Sequence, residues 1–270
     1  MNSPTVLVTG STDGLGKAVA MDLAHRGANV LIHGRDPERI ARTVAEIHRV
    51  ASSRCAVRSY RADFASLEQV RALAGDILAQ EARLDVLLNN AGIGTTIPGG
   101  GVRMTSGDGY ELRFAVNYLA PYLLTHLLVP LLRRSAPARI INVSSIGQAP
   151  IEFDDPMLLR HYDGVRAYCQ SKLAQVLFTL DLAQELDPSE VTVTALHPAT
   201  YMPTKIVVSP ISTLEEGVAA TTRLAMDADL RGITGRFYDG AHEARANFQA
   251  YEADARRQLR VLSDHLVGFA

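Results

Sequence analysis

The sequence has few cysteines, almost no net charge and no region of biased composition. Cys55 and Cys169 are too few for a disulfide framework, and nothing indicates an oxidising compartment. Cysteines and histidines do not cluster at metal-ligand spacing, so we expect no metal site. The formal net charge of −2 gives no reason to expect nucleic acid or an anionic membrane as a partner.

No targeting segment is visible either. The first residues, MNSPT, lead into an apolar strand without the basic and long apolar regions of a signal peptide, so we expect a cytoplasmic location. The range 114–132 is long and apolar enough to resemble a membrane span. Four residues interrupt it: Asn117, Pro121, His126 and Pro130. We therefore interpret this range as a buried helix and expect no contact with a membrane.

Hydrophobic residues make up 47% of the 270 residues, which is ample for a large core. Short β-branched apolar runs alternate with longer helical patterns, which indicates a parallel sheet covered on both faces. We predict an α/β fold, a single doubly wound Rossmann-type domain over residues 1–270 with helices flanking the sheet. The predicted strands are Thr5–Thr9, Asn29–Ile32, Ala56–Tyr60, Val86–Leu88, Arg139–Val143 and Val191–Leu196. An amphipathic pattern at about 247–267 predicts a closing C-terminal helix.

A glycine-rich turn follows the first predicted strand. Its residues are Thr9, Gly10, Ser11, Thr12, Asp13, Gly14, Leu15 and Gly16. Glycines let the backbone turn tightly and approach a ligand, and the N-terminus of the following helix favours a phosphate. The spacing Gly-x-x-x-Gly-x-Gly differs from the common fingerprint Gly-x-Gly-x-x-Gly. We predict that residues 10–16 bind a nucleotide, with a plain tight turn as the alternative.

The end of the second strand bears on the choice of cofactor. Gly34 stands where a carboxylate would hold a ribose 2′-hydroxyl, and Arg35, which suits a 2′-phosphate, follows it. This favours NADP(H), and NAD(H) stays open because Asp36 is close by, although Asp36-Pro37 is also typical of a helix start. Asp63 and Phe64 border the adenine in one interpretation; in the other, Asp63 is a turn residue.

Three further polar motifs lie where a ligand would bind. Asn89-Asn90-Ala91-Gly92 ends the fourth strand, where amides can tie strands together and small residues admit a ligand. Asn117 lies four residues before Pro121, whose missing N–H frees a carbonyl and favours a kink able to hold a water; a capping or core asparagine is the alternative. Ser144-Ser145 ends the fifth strand, at the edge where parallel sheets bind ligands, although serines also form turns there.

Tyr168 and Lys172 are one turn apart on the same face of a predicted helix. A free phenol has a pKa of about 10, and a nearby ammonium group would lower that pKa by roughly 1–3 units. The phenol could then exchange a proton with a substrate near neutral pH. Taken alone, such a pair is more often a solvated helix face, so the rest of the chain must supply the context.

The order of these motifs resembles the short-chain dehydrogenase/reductase (SDR) family over essentially the whole chain. The motifs that carry the resemblance are Thr9-Gly10-x-x-x-Gly14-x-Gly16, Asn89-Asn90-Ala91-Gly92, Asn117, Ser145 and Tyr168-x-x-x-Lys172. The ranges 114–125, 168–178 and 258–267 resemble the retinol dehydrogenase-like branch. The resemblance implies an oxidoreductase that interconverts an alcohol and a ketone or aldehyde with NADP(H).

The resemblance also assigns roles to residues. It makes Tyr168 the catalytic acid/base, and Lys172 the residue that holds the nicotinamide ribose and lowers the pKa of the phenol. Ser145 would orient the substrate oxygen, and Asn117 would anchor a proton-relay water. Further cofactor contacts would come from Asn90, Ala91, Gly92, Pro198 and Thr200.

Three departures from the family pattern concern the cofactor and the substrate. Pro198-Ala199 replaces the family's Pro-Gly, and Pro203-Thr204 displaces its threonine, so contacts to the carboxamide are less defined. The N-terminal anchor of many membrane-bound members is not seen, which weakens the expectation of a retinoid substrate. The segments 146–165 and 200–213 are expected to shape an apolar substrate pocket or to form a solvated lid.

Two other functions and one form of assembly complete the predictions. A non-catalytic dinucleotide-binding sensor or scaffold on the same fold is the main alternative, and the joint presence of Ser145, Tyr168 and Lys172 argues against it. A sugar-nucleotide epimerase of the extended branch fits the glycine spacing poorly. The apolar helices at 114–132 and 168–186 are expected to pair with a second copy in a homodimer or homotetramer.

Overall fold

The computed structural model describes residues 3–52, 55–95, 101–200, 202 and 211–269. The strands are β1 (Thr5–Val8), β2 (Asn29–Gly34), β3 (Val57–Arg61), β4 (Val86–Asn89), β5 (Ala138–Val143), β6 (Val191–His197), β7 (Arg236–Asp239) and β8 (His242–Ala244). The α-helices are α1 (Gly14–His25), α2 (Pro37–Val50), α3 (Leu67–Gln80), α4 (Leu112–Phe114), α5 (Ala120–Arg134), α6 (Gly164–Glu185), α7 (Leu214–Met226) and α8 (Ala253–Val267).

These strands form one sheet in the order β3-β2-β1-β4-β5-β6-β7-β8. Neighbouring strands are parallel from β3 through β7, and β8 runs antiparallel to β7. The direction of winding reverses between β1 and β4. This is the predicted doubly wound sheet, and such a reversal opens a crevice at the carboxyl ends of the strands.

Helices bury both faces of the sheet because successive strand residues point to opposite sides. Leu7, Leu87 and Ile140 face a core layer that contains side chains of α3, α5, α6 and α8. The neighbouring residues of the same strands face a second layer, built with α1, α2 and α7. The continuous apolar strands of the sequence thus serve both layers.

Capping side chains determine where two of the helices begin. Asp36 accepts hydrogen bonds from the amides of Glu38 and Arg39, and Pro37 occupies the first turn of α2, which confirms the predicted helix start. Asp163 accepts a 2.7 Å bond from the amide of Arg166 and begins α6. Helix α6 therefore starts ahead of the Tyr168–Lys172 range.

The predicted buried helix at 114–132 is part of one helical stretch, Leu112–Arg134. It consists of α4, a π-turn over Ala115–Leu119, and α5. The stretch is long and apolar enough to cross a membrane by length and composition, but 78% of its most apolar window is buried inside the protein. Pro121 lacks an N–H, and the predicted disturbance of the helix just before it takes the form of this π-turn.

Two features differ from the prediction. The sheet continues beyond the six predicted strands into β7 and β8, whose sequences RFYD and HEA are too short and too polar to read as apolar runs. The C-terminal segment is a 3-10 turn, Phe248–Tyr251, followed by α8, rather than one helix from about 247.

Candidate active site

The glycine-rich turn packs against the segment that follows β4. Gly10 has a φ of +64°, and a Cβ on it would lie 2.8 Å from the Cα of Ala91. A Cβ on Gly16 would clash with the Gly10 carbonyl oxygen and with the Asn90 amide nitrogen. These positions require glycine, because only glycine permits both the turn and the close approach. The turn ends at Asp13, which caps α1, so the positive end of α1 lies at the crevice.

Side-chain amides fix the Asn89–Gly92 segment, as the sequence predicts. The Asn89 amide nitrogen donates to Asn142 Oδ1 (2.9 Å) on β5 and to Thr125 Oγ1 (3.0 Å). The Asn90 amide nitrogen donates to the Thr9 carbonyl oxygen (2.9 Å), and Thr9 Oγ1 accepts from the amides of Asn90 and Ala91. These hydrogen bonds tie the carboxyl ends of β1, β4 and β5 together.

Asn117 lies in the π-turn and is bound on both sides. Its Oδ1 accepts from the Ile93 amide (2.7 Å), and its Nδ2 donates to the Ile93 carbonyl oxygen (3.1 Å) and to Ser171 Oγ (2.9 Å). A Cβ on Gly92 would lie 3.3 Å from Asn117 Oδ1 and 3.6 Å from Lys172 Nζ. The structure thus brings together Gly92, Asn117 and Lys172, which are far apart in the sequence.

The Lys172 ammonium group is buried beneath Tyr168. Nζ donates to the Val143 carbonyl oxygen (2.8 Å) and to Gln175 Oε1 (3.1 Å), and it lies 5.8 Å from the centroid of the Tyr168 ring. Burial lowers the pKa of Lys172 to about 7, since a charged group loses its hydration there. The lysine can therefore change its charge near neutral pH.

Ser145 and Tyr168 both border Gly147. Ser145 Oγ accepts a 3.0 Å bond from the Gly147 amide, and a Cβ on Gly147 would lie 3.5 Å from that oxygen and 4.0 Å from Tyr168 Cε1. The bond from Gly147 uses a lone pair of Oγ and leaves the hydroxyl hydrogen to donate. Ser144 is directed elsewhere, since its Oγ donates to the Lys172 carbonyl oxygen (2.7 Å).

The predicted adenine end of the site is more open. The Arg35 side chain is 74% exposed and reaches to 3.7 Å from the Asp63 carboxylate. Asp63 also accepts from the amide of Ala65 (3.0 Å), so it is a turn residue as well. Phe64 is buried against the ring of His33, with centroids 4.5 Å apart. Its side chain therefore belongs to the core, and any adenine contact would come from its backbone.

Three residues at the site are not among the predicted ones. His33 Nδ1 accepts from the Gly10 amide (3.1 Å), and burial lowers the pKa of His33 to about 4, so the ring is neutral. Arg39 lies 3.4 Å from Asp13. His197, at the end of β6, contacts Thr200 Oγ1 through Nε2 (3.0 Å), and burial, aided by Lys172, lowers its pKa. None of the three belongs to a motif. The only signal in the sequence was that each lies at the end of a strand or in the first turn of a helix.

The two segments expected to shape the substrate pocket differ in what the structure describes. Pro198 and Thr200 directly follow β6, whereas Pro203, Thr204 and most of 200–213 lie outside the described residues. The segment 146–165 is tied down by amide side chains. The bonds are from Gln148 Nε2 to Ser145 O (2.7 Å), from Gln170 Nε2 to Pro156 O (2.8 Å) and from the Ile151 amide to Gln249 Oε1 (2.7 Å). These bonds fix the segment 146–165 against α6 and against Gln249.

A known family, curated proteins and solved structures are similar to this chain. A model of the short chain dehydrogenase family matches residues 4–212. Retinol dehydrogenase 13 of Mus musculus is 37% identical over 287 aligned residues, which cover 98% of this chain and 84% of that protein. A solved structure of an uncharacterized protein from Mycobacterium Paratuberculosis is similar at a TM-score of 0.78 and 27% identity, covering 98% of this chain and 93% of that one. A short chain dehydrogenase from Shigella flexneri complexed with NADP has a TM-score of 0.71 and 25% identity, with 89% and 98% covered.

Proposed function

The chain belongs to the short-chain dehydrogenase family and is an oxidoreductase that acts on CH–OH or C=O groups with a nicotinamide cofactor, and we propose that it uses NADP(H) with Tyr168 as the general acid/base. The observation that carries this proposal is the cluster of Ser145, Tyr168 and Lys172 at the carboxyl edge of the sheet. The cofactor, when bound, supplies or accepts the hydride.

In the reductive direction, Ser145 donates a hydrogen bond to the substrate oxygen and Tyr168 delivers the proton to it. Proton transfer of this kind contributes about 10²–10⁴-fold to a rate. Lys172 acts as a charge beside the phenol, and an anionic cofactor favours its ammonium form over the neutral amine. The Asn117 side chain holds the loop after β4 in place. Its backbone, in the π-turn before Pro121, anchors a relay water.

The preference for NADP(H) is supported by the adenine end of the site and by one similar structure. Gly34, the last residue of β2, stands where a carboxylate would hold a ribose 2′-hydroxyl, and the Asp36 carboxylate beyond it caps α2. The Arg35 guanidinium is 74% exposed and could turn from its 3.7 Å contact with Asp63 toward a 2′-phosphate. The similar short chain dehydrogenase from Shigella flexneri is complexed with NADP. The tight Gly10–Gly16 turn and the positive end of α1 suit the pyrophosphate of either cofactor.

We propose an apolar alcohol or carbonyl compound as substrate. Three apolar side chains near Ser145 and the start of α6 in the sequence are exposed: Ile146 follows Ser145, Leu159 precedes α6 and Val165 lies in its first turn, and they are 58%, 72% and 57% exposed. Apolar side chains that stay exposed near a crevice are typical of a ligand-binding surface. A retinoid belongs in the test set because the relatives in the comparison are named retinol dehydrogenases.

A cytoplasmic homodimer or homotetramer is our proposal for location and assembly. Helix α8 covers part of α6 within the chain, with Arg260 donating to Asp181 (2.7 Å) and Tyr122 of α5 donating to Asp264 (2.6 Å). A second copy would therefore pair through the parts of α5 that α8 leaves open, such as the exposed Pro130. Light scattering tests this: a mass of about 29 kDa, that of one chain, would contradict it.

The proposed function is tested by a screen of aliphatic, aromatic and polycyclic carbonyl compounds, retinal included, with NADPH and NADH. We expect oxidation of NADPH with at least one carbonyl compound and slower turnover with NADH. Tight binding of NADPH without turnover of any compound would favour the alternative, a dinucleotide-binding sensor or scaffold. The assay is decisive because binding and turnover are measured on the same protein.

A further inference from the structure

A fully buried ion pair lies beside the crevice and has no part in the proposed chemistry. Arg113 and Glu111 are 0% and 1% exposed, and Arg113 Nη1 lies 3.8 Å from Glu111 Oε1. Removing two charges from water is costly, and the cost is offset only when hydrogen bonds satisfy both groups. The partners of this pair therefore indicate what it does.

The Arg113 guanidinium joins two segments that are remote in sequence. Nε donates to the Gly94 carbonyl oxygen (2.8 Å) and Nη2 to the Thr95 carbonyl oxygen (2.8 Å), both in the segment after β4. Nη1 donates to the hydroxyl of Tyr162 (2.6 Å), which in turn donates to Glu111 Oε1 (3.0 Å). Glu111 Oε2 accepts from the Phe114 amide (2.7 Å), which fixes the carboxylate at the start of α4.

Both segments carry groups of the candidate active site. Gly94 directly follows Ile93, whose amide and carbonyl hold the Asn117 side chain. Tyr162 directly precedes Asp163, the N-cap of α6, the helix that carries Tyr168 and Lys172. A planar guanidinium holds its donors in a fixed fork, whereas a lysine offers three donors from one freely rotating nitrogen, so only the arginine fixes the two carbonyls and the hydroxyl in a defined geometry.

We propose that Arg113, Glu111 and Tyr162 are positioning residues that clamp the loop after β4 to the start of α6, and so set Asn117 against Tyr168. None of the three needs to touch substrate or cofactor. The inference rests on the proposed function, because it assigns the clamp an effect on the catalytic step. A misplacement of about 1 Å in a catalytic constellation can lower a rate about 10²-fold, so a loosened clamp should lower kcat.

The test uses two variants of the clamp in the full chain. Tyr162→Phe removes the hydroxyl that bridges Arg113 and Glu111, and Arg113→Lys keeps the charge but loses the fork. We expect each to lower kcat about 10-fold or more in NADPH-dependent carbonyl reduction, with the Kd for NADPH within about 2-fold of the parent. Hydrogen–deuterium exchange of a peptide covering residues 90–95 should be faster in both variants, with NADPH absent.

A second Arg–Glu–Tyr set at the edge of the sheet provides the matched control. The Tyr60 hydroxyl donates to Glu81 Oε1 (2.5 Å), and Arg58 pairs with the same carboxylate. Tyr60→Phe and Arg58→Lys should lower the melting temperature without the fall in kcat or the faster exchange at 90–95. If Tyr162→Phe keeps the parent's kcat and the parent's exchange rates, the clamp is overturned, whether or not Arg113→Lys folds.

A failure of the proposed function gives a different result from a failure of the clamp. In that case the parent turns over no carbonyl compound, and the exchange of residues 90–95 alone decides whether the clamp holds the loop. An active parent with unchanged kcat in both clamp variants would refute the positioning role even if exchange increased.

Discussion

Lys172 is a buried lysine whose charge should make the stability of the cofactor-free protein depend on pH. The pKa of Lys172 is about 7 in the folded state, because of burial, against 10.5 as its ordinary value. Between these two values the unfolded chain binds one proton more than the folded protein, so the free energy of unfolding rises with pH. Below about pH 7 both states are protonated, and the whole cost of the buried charge is present.

The size of the effect follows from the two pKa values. The rise approaches about 1.4 kcal/mol per pH unit once the folded lysine is neutral, which gives roughly 2 kcal/mol between pH 6 and pH 8.5. Lys172→Met removes this titrating group and replaces it with an uncharged side chain of similar length. Groups that do not interact with Lys172 contribute equally to both proteins, so the difference between the parent and Lys172→Met reports the lysine together with its effect on His197, whose pKa it lowers.

The assay is urea unfolding followed by far-UV circular dichroism at several pH values, since the chain has no tryptophan to report by fluorescence. The parent should gain roughly 2 kcal/mol over Lys172→Met between pH 6 and pH 8.5. Two curves that stay parallel to within about 0.5 kcal/mol would refute the reasoning, because the lysine would then be protonated equally in both states.

Two further predictions concern the cofactor. Gly16→Ala should weaken NADPH binding about 10-fold or more in a fluorescence titration, because its Cβ meets the Gly10 backbone; Gly75→Ala in α3, where nothing lies within 4 Å, is the control and should bind like the parent. Unchanged affinity in Gly16→Ala would show that the turn does not shape the site. Arg35→Asp should lower kcat/KM with NADPH roughly 10–100-fold relative to NADH, because a charged hydrogen bond to the 2′-phosphate is lost. An unaltered ratio would remove Arg35 from the cofactor site.

Most of the sheet could be predicted because the sequences of its strands are short runs of apolar residues. β1, β2, β4, β5 and β6 are flanked by helices and buried on both faces, so their sequences are distinct from the rest of the chain. β3, at the other edge of the sheet, is mostly exposed. β7 and β8 lie at one edge of the sheet, where Glu243 and His242 are exposed and no apolar run is required. Edge strands of this kind carry little sequence signal.

Parts of the candidate site could be predicted where the spacing of residues in the sequence determines their positions in the fold. The Gly10–Gly16 turn and the Tyr168–Lys172 pair follow from local rules of turns and helices. The contacts beneath them did not follow, since His33, just past the predicted second strand, gives no sign in the sequence that its ring accepts from the Gly10 amide. Arg113 did carry a signal, because a charged residue within an apolar helical stretch must find a partner when buried. The identity of that partner depends on the tertiary fold.

The central claim is that the Tyr168 phenol passes the proton, and Tyr168→Phe tests it most directly. The variant keeps the ring above Lys172 and removes only the hydroxyl, so NADPH should bind with a Kd within about 3-fold of the parent. Its kcat in carbonyl reduction should fall by about 10²-fold or more. Turnover at the parent's rate, with the cofactor bound equally well, would contradict the account.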